Sequence, residues 1–167
     1  MEDLYEELTK IKFVHLGRNP IKKDGWKLLK QHFKNELINE EKSFVLTNLS
    51  LSMYDSDKKL VQGAKLESSF LEELTFIILK MEVVDLSGQT NLNWTKFHDI
   101  VKDEIENWKE EFGQIKLKRL ILDNCNIKTI DMKEKLEEIL SSTNVELKFS
   151  QDETDNSSYP CFIPCCC

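Results

Sequence analysis

Apolar positions in this chain recur on two scales, one short and strand-like, the other helical. Four short runs align: IKFVHLGRNPI from Ile11, LTNLSLSMY from Leu46, MEVVDLSGQ from Met81 and LKRLILDNCNI from Leu117, so the copies start 35, 35 and 36 residues apart. Positions one, four and six are apolar in every copy: Ile11, Val14, Leu16; Leu46, Leu49, Leu51; Met81, Val84, Leu86; Leu117, Leu120, Leu122. Alternate residues of a strand share a face, so positions four and six point one way and positions three and five the other. Position nine holds Asn19, Tyr54, Gln89 and Cys125. An asparagine or a buried thiol there bonds the backbone of a turn; Tyr54 and Gln89 match that role less well.

Between the runs the period changes to that of a helix. Trp26, Leu29, Phe33 and Leu37 form one stripe in KKDGWKLLKQHFKNEL, with Asp24 placed as an N-cap. LESSFLEEL carries Leu66, Phe70, Leu71 and Leu74 on one side. NWTKFHDIVKDEIENWKEEF carries Trp94, Phe97, Val101, Ile105, Trp108 and Phe112, and Gly113 suits its C-terminal cap. MKEKLEEIL carries Met132, Leu136, Ile139 and Leu140, with Asp131 as N-cap, and a last strand, VELKF, spans Val145 to Phe149. Strands joined by helical crossovers lie parallel. Two architectures answer to that: a doubly wound sheet and a solenoid, of which the regular period and repeated strand signature favour the solenoid.

At 167 residues, with 40% hydrophobic and 32% charged positions, the chain suits one ordinary domain with a real core. The net charge of −7 argues against nonspecific attraction to nucleic acid or anionic lipid. No apolar run reaches the roughly 20 residues of a membrane helix. The acidic start MEDLYEELTK has no secretory signal, and within it DLYEEL, with Leu4 and Leu8 inward, reads as a capping helix or the end of a repeat helix. Of five cysteines only Cys125 falls in the body of the chain, a usage that fits a reducing cytoplasm.

The strand signature resembles the leucine-rich-repeat family, whose consensus is L-x-x-L-x-L-x-x-N/C-x-L. LKRLILDNCNI matches with Cys125 at the N/C position and Ile127 after it, and IKFVHLGRNPI matches with Asn19 and Ile21. The following DGWKLLKQHF is similar to the G-x-x-x-L-x-x-x-L helix of the ribonuclease-inhibitor-like class, and the irregular repeats with DGW at a helix start resemble the carboxy-terminal repeats of NOD-like receptors. The 35-residue spacing is longer than that class usually shows. The resemblance implies an α/β solenoid over residues 1–149, about four repeats with terminal caps, with strands on a concave face and helices on a convex one. It implies a non-catalytic module that binds a protein partner, in innate-immune-type sensing or signalling, or alternatively regulation of a small GTPase. An enzyme on a doubly wound sheet is the remaining alternative.

In that arrangement the outward strand positions are the candidate partner-binding residues. Position three gives Phe13, Asn48, Val83 and Arg119; position five gives His15, Ser50, Asp85 and Ile121; position eight gives Arg18, Met53 and Asn124, with Gly88 in the third copy. His15 and Asp85 share a row but stand two strands apart, about 10 Å, too far for an acid–base pair. His32 and His98 lie on helices, without a second ligand at metal spacing. Cys125 reads as a turn cysteine and not a nucleophile. No glycine-rich phosphate loop, G-x-S-x-G or H-E-x-x-H is present, so neither a cofactor nor a metal is expected.

Residues 150–167 change character. SQDETDNSS reads as a disordered acidic linker, followed by Cys161, Cys165, Cys166 and Cys167. Pro164 occupies the fourth place from the end, which excludes a CaaX prenylation signal. Two readings stand for the thiols: S-acylation, as by palmitate, holding the protein at a membrane through two or more chains, or an inert end.

Overall fold

The computed structural model describes residues 12–17, 19–39, 46–54, 57, 59, 61, 66–127 and 130–149. Strands and helices alternate along them: β1 (Phe13–His15), α1 (Lys23–Asn39), β2 (Asn48–Ser50), α2 (Leu71–Lys80, entered through a 3-10 turn at Ser68–Phe70), β3 (Val83–Asp85), α3 (Trp94–Phe112), β4 (Arg119–Ile121), α4 (Ile130–Ser141) and β5 (Glu146–Lys148). The strands form one five-stranded parallel sheet in the order β1-β2-β3-β4-β5, without the reversal that a doubly wound sheet requires.

From β1 to β4 the register is the one the sequence alignment gives, and β5 continues it. Phe13, Asn48, Val83, Arg119 and Glu146 lie side by side, as do Val14, Leu49, Val84, Leu120 and Leu147, and then His15, Ser50, Asp85, Ile121 and Lys148. Row four points into the core. Leu49, Val84 and Leu120 are buried there, and so are Leu51, Leu86 and Leu122 in row six. The two end strands are less covered: Val14 on β1, and Leu147 and Phe149 at β5, are half-buried, and Leu16 packs against the same core.

The helices pack in chain order, α1 on α2, α2 on α3, α3 on α4, with their apolar stripes in the same core as rows four and six. Trp26, Leu29 and Phe33 of α1 and Trp94, Phe97, Val101, Ile105 and Trp108 of α3 are buried at the expected spacing. The second helix runs on to Lys80 and is buried almost all round, Glu72 excepted, because α1 and α3 flank it. Such a helix has no polar face, and its sequence, LEELTFIILK, carries little periodic signal in its second half. The side chain of Lys80 is buried with its Nζ donating to Phe33 O at 3.3 Å above the Phe33 ring.

The helix ends differ in part from expectation. Asp24 and Asp131 sit inside the first turns of α1 and α4, too deep to cap. Asp131 pairs instead with Lys135 one turn on, at 2.8 Å. Asn93 caps α3, its side chain accepting from Lys96 N at 3.0 Å, and Gly113 ends that helix at φ 79° as expected. No helix among the described residues is long and apolar enough to cross a membrane.

Candidate functional site

Three-residue strands leave little room for alternation, and this decides which expected surface residues face outward. The strands end at position five. The chain then turns through positions six to nine, where Gly88 (φ 77°) and Asn124 (φ 53°) take left-handed conformations. Position eight is therefore a corner of the turn. Met53, expected to face outward, is 1% exposed, and Gly88 is buried as well; only Asn124 is exposed there among the described residues. Arg18 lies outside the described residues.

Position five is partly consumed by the backbone. Ser50, also expected outward, is 6% exposed. Its Oγ lies 2.9 Å from His15 Nδ1 and accepts from the amide of Ser52 at 3.3 Å. Asp85 does the same one strand on: its Oδ1 accepts from Ser87 N at 2.8 Å and from the Ser87 hydroxyl. Short polar side chains at this place close the turns that follow β2 and β3. Gly17 is needed at the first such turn, because a Cβ there would stand 2.1 Å from Ser52 O. The Ser50–His15 contact puts a hydroxyl beside an imidazole, but the hydroxyl is enclosed and already accepts a bond, so it does not present itself to a substrate. What stays accessible on this side is Phe13, His15, Asn48, Val83, Asp85 and Ile121, half-buried, with Arg119 and Asn124 exposed. Arg119 is held by Glu146, Nε to carboxylate at 2.6 Å.

Position nine forms a ladder under the turns. The Gln89 side chain, 1% exposed, donates through Nε2 to Leu51 O and accepts at Oε1 from Leu66 N (3.1 Å). Cys125 repeats the first bond one copy later, its Sγ donating to Leu86 O at 3.0 Å. Leu51 and Leu86 hold the same position six, so each bond ties a turn to the preceding repeat. The carbonyl of Cys125 in turn accepts from Trp94 Nε1 at 2.9 Å. Gln89 is thus a full rung where the sequence pattern rates it weak: one extra methylene does not remove the primary amide. Asn19, in the first copy, is exposed and its side chain bonds locally, to Gly17 O at 3.3 Å.

Burial pushes the Cys125 thiol up to about 12 from an ordinary value of 9.0, the nearby Asp85 and Asp123 adding to the rise and backbone hydrogen bonds opposing it. The folded protein therefore keeps this proton where the unfolded chain loses it. This contribution to stability is complete below the unfolded value of 9.0 and is lost as the pH climbs toward 12. Iodoacetamide at a pH of about 8, below the ordinary thiol range, is expected to spare Cys125 in the folded protein and to label it in denaturant. Between a pH of about 8 and about 10.5, the stability of the wild type relative to Cys125→Ala should fall by about 1–2 kcal/mol. Labelling of the native thiol at the denatured rate would contradict the assignment.

On the helix side, Lys34 of α1 reaches Glu111 of α3 at 2.6 Å. Burial holds the Glu104 carboxyl above its ordinary range against the pull of Lys30 and Lys34. His98 sits 2.9 Å from Asp99. Among the described residues no group of three or more His, Cys, Asp or Glu side chains is placed to hold a metal ion. Cys161, Cys165, Cys166 and Cys167, considered for acylation, lie outside the described residues.

No family model matches the chain. Over 129 residues it is 24% identical to the pyruvate dehydrogenase E1 component subunit alpha of Rickettsia felis, a match that takes in 77% of this chain but 39% of that relative's length.

Proposed function

We propose that this chain is a leucine-rich-repeat solenoid of the ribonuclease-inhibitor-like class, a non-catalytic module that binds a protein partner on the face bearing rows three and five. The observation that carries the reading is the unbroken register. Side chains spaced 35 or 36 residues apart stand next to one another from β1 to β4, on the side away from the helices. Such a face presents a flat array of side chains at about 4.8 Å spacing, a geometry suited to a macromolecular surface. Phe13 and Arg119 supply the aromatic and guanidinium groups that anchor protein interfaces, with Val83 beside Arg119 in the same row. Met53 is part of the core and not of this surface.

The test compares two sets of substitutions. Phe13→Ala, Val83→Ala and Arg119→Ala together should abolish partner capture from the source cell while leaving the circular dichroism intact. Lys96→Ala with Glu110→Ala, exposed on α3, should leave capture unchanged. Capture that survives the first set and fails with the second would move the binding surface to the helices.

A further inference from the structure

The last strand carries an edge whose chemistry is complementary to itself. β5 pairs with β4 on one side only among the described residues. Glu146 N donates to Lys118 O and Lys148 O accepts from Leu122 N, both at 2.8 Å, so the backbone groups of residues 146 and 148 face β4. Alternation then aims the N–H and C=O of Leu147 outward, away from β4. Its side chain points to the core side with row four, but where Val84 and Leu120 are buried, Leu147 is half-buried, as are its neighbours Val145 and Phe149. Glu146 and Lys148 stand on the opposite face, in rows three and five.

We propose that this edge is a self-association surface, on which β5 pairs antiparallel with β5 of a second copy about a twofold axis through Leu147. Antiparallel pairing centred on Leu147 sets the two Leu147 residues opposite each other, with both outward amides and carbonyls exchanging hydrogen bonds. It sets Glu146 of each copy opposite Lys148 of the other. These are non-hydrogen-bonded positions, where side chains approach most closely, and opposite charges there attract. Val145 falls opposite Phe149. The sequence VELKF thus pairs apolar with apolar on one face and acid with base on the other, twice over, because the arrangement is isologous. Each Glu146 then lies between its own Arg119 and the second copy's Lys148, an alternation of charge along the row. The axis stands perpendicular to the sheet, so the helices of both copies stay on one side and the two α4 helices flank the half-covered Val145, Leu147 and Phe149.

Charges on an edge strand often serve to prevent pairing. Charges of one sign do that; here twofold symmetry brings unlike signs together. A head-to-tail union of β5 with β1 lacks this match, because it sets Glu146 and Lys148 against Phe13 and His15.

The experiment measures the association of the full chain by sedimentation equilibrium over about 5–500 µM, under reducing conditions so that no disulfide contributes. The wild type should fit a monomer–dimer equilibrium. Glu146→Lys and Lys148→Glu should each weaken it about tenfold or more, because each places two like-charge pairs at the axis. An equimolar mixture of the two variants should form a heterodimer, since the combination restores an unlike pair at both crossings of the axis. The double variant, E146K with K148E, should dimerise with itself. Thermal melts establish that each variant is folded. A monomeric wild type, polymers beyond the dimer, or single variants that fail to rescue each other would overturn the proposal. So would dimerisation that appears only once residues 150–167 are removed, which would assign the edge to the chain's own tail.

Discussion

Leu120→Ala should lower the stability of this protein by about 2–5 kcal/mol, the cost of the lost side chain plus the cavity it leaves. Leu120 is 1% exposed and lies in the core-facing row between Val84 and Leu147. Its strand has three residues, so this side chain is the one inward anchor that β4 itself provides, with Leu117 and Leu122 just outside. Leu86, Leu122 and Leu136 belong to the same buried core. Each kcal/mol lost moves the melting temperature of a chain this size by about 2–4 °C. Among the described residues strands pair only with sequence neighbours, so faster amide exchange should centre on β3, β4 and β5 and fade toward β1. Urea melts of this variant beside Lys116→Ala, an exposed control, make the comparison. A loss below about 0.5 kcal/mol, the surface scale, would mean that row four does not face the core.

The backbone plan is legible in the sequence because two periods alternate cleanly. Aligning Leu49, Val84 and Leu120 by sequence spacing determines which residues pair across the sheet, since a slip of one place would turn every apolar side chain outward. The stripe from Trp94 to Trp108 likewise places α3. What the pattern does not carry lies where local rules change. Alternation puts Ser50 outward within β2 and, carried past the strand's end, Met53 as well; the turn takes the Ser50 hydroxyl for the Ser52 amide and folds Met53 inward. The second half of α2 escapes the pattern because burial on all sides removes the polar face by which a helix is recognised. Residue type alone makes Asp24 and Asp131 caps, while the cap position depends on where the first helical hydrogen bond falls. The row of Phe13, Asn48, Val83 and Arg119 is legible to the residue, since strand period and repeat spacing together leave it no other place. The structural role of the Cys125 thiol is legible too, because its neighbours LDN and NI already define the turn. Its bond to Leu86 O leaves no mark in the sequence, and neither does the matching bond of Gln89 to Leu51.

Gln89→Leu should therefore be among the most damaging single changes outside the apolar core. Leucine is close to glutamine in volume, though one heavy atom shorter, so most of the loss reports on the hydrogen bonds. Leu51 O and Leu66 N are both left inside the protein without the partner that Gln89 supplies. A buried polar group deprived of its partner costs roughly 1–3 kcal/mol, so the two together give about 2–6 kcal/mol. Gln89→Asn keeps the amide but shortens the reach and should cost less. Gln89→Glu can still accept from Leu66 N, yet it sets a carboxylate against the Leu51 carbonyl in a dry site and should cost at least as much as leucine. Cys125→Ala, which removes one weak sulfur donor from the equivalent rung, should cost about 1 kcal/mol. The expected order of stability is wild type, Cys125→Ala, Gln89→Asn, and then Gln89→Leu with Gln89→Glu. Chemical denaturation gives the order, and hydrogen exchange at the Leu66 amide gives the mechanism, since that amide should exchange faster in Gln89→Leu and stay protected in Gln89→Glu under conditions where that variant is folded. Equal stability of Gln89→Leu and the wild type would show that the ladder contributes nothing to holding successive repeats together.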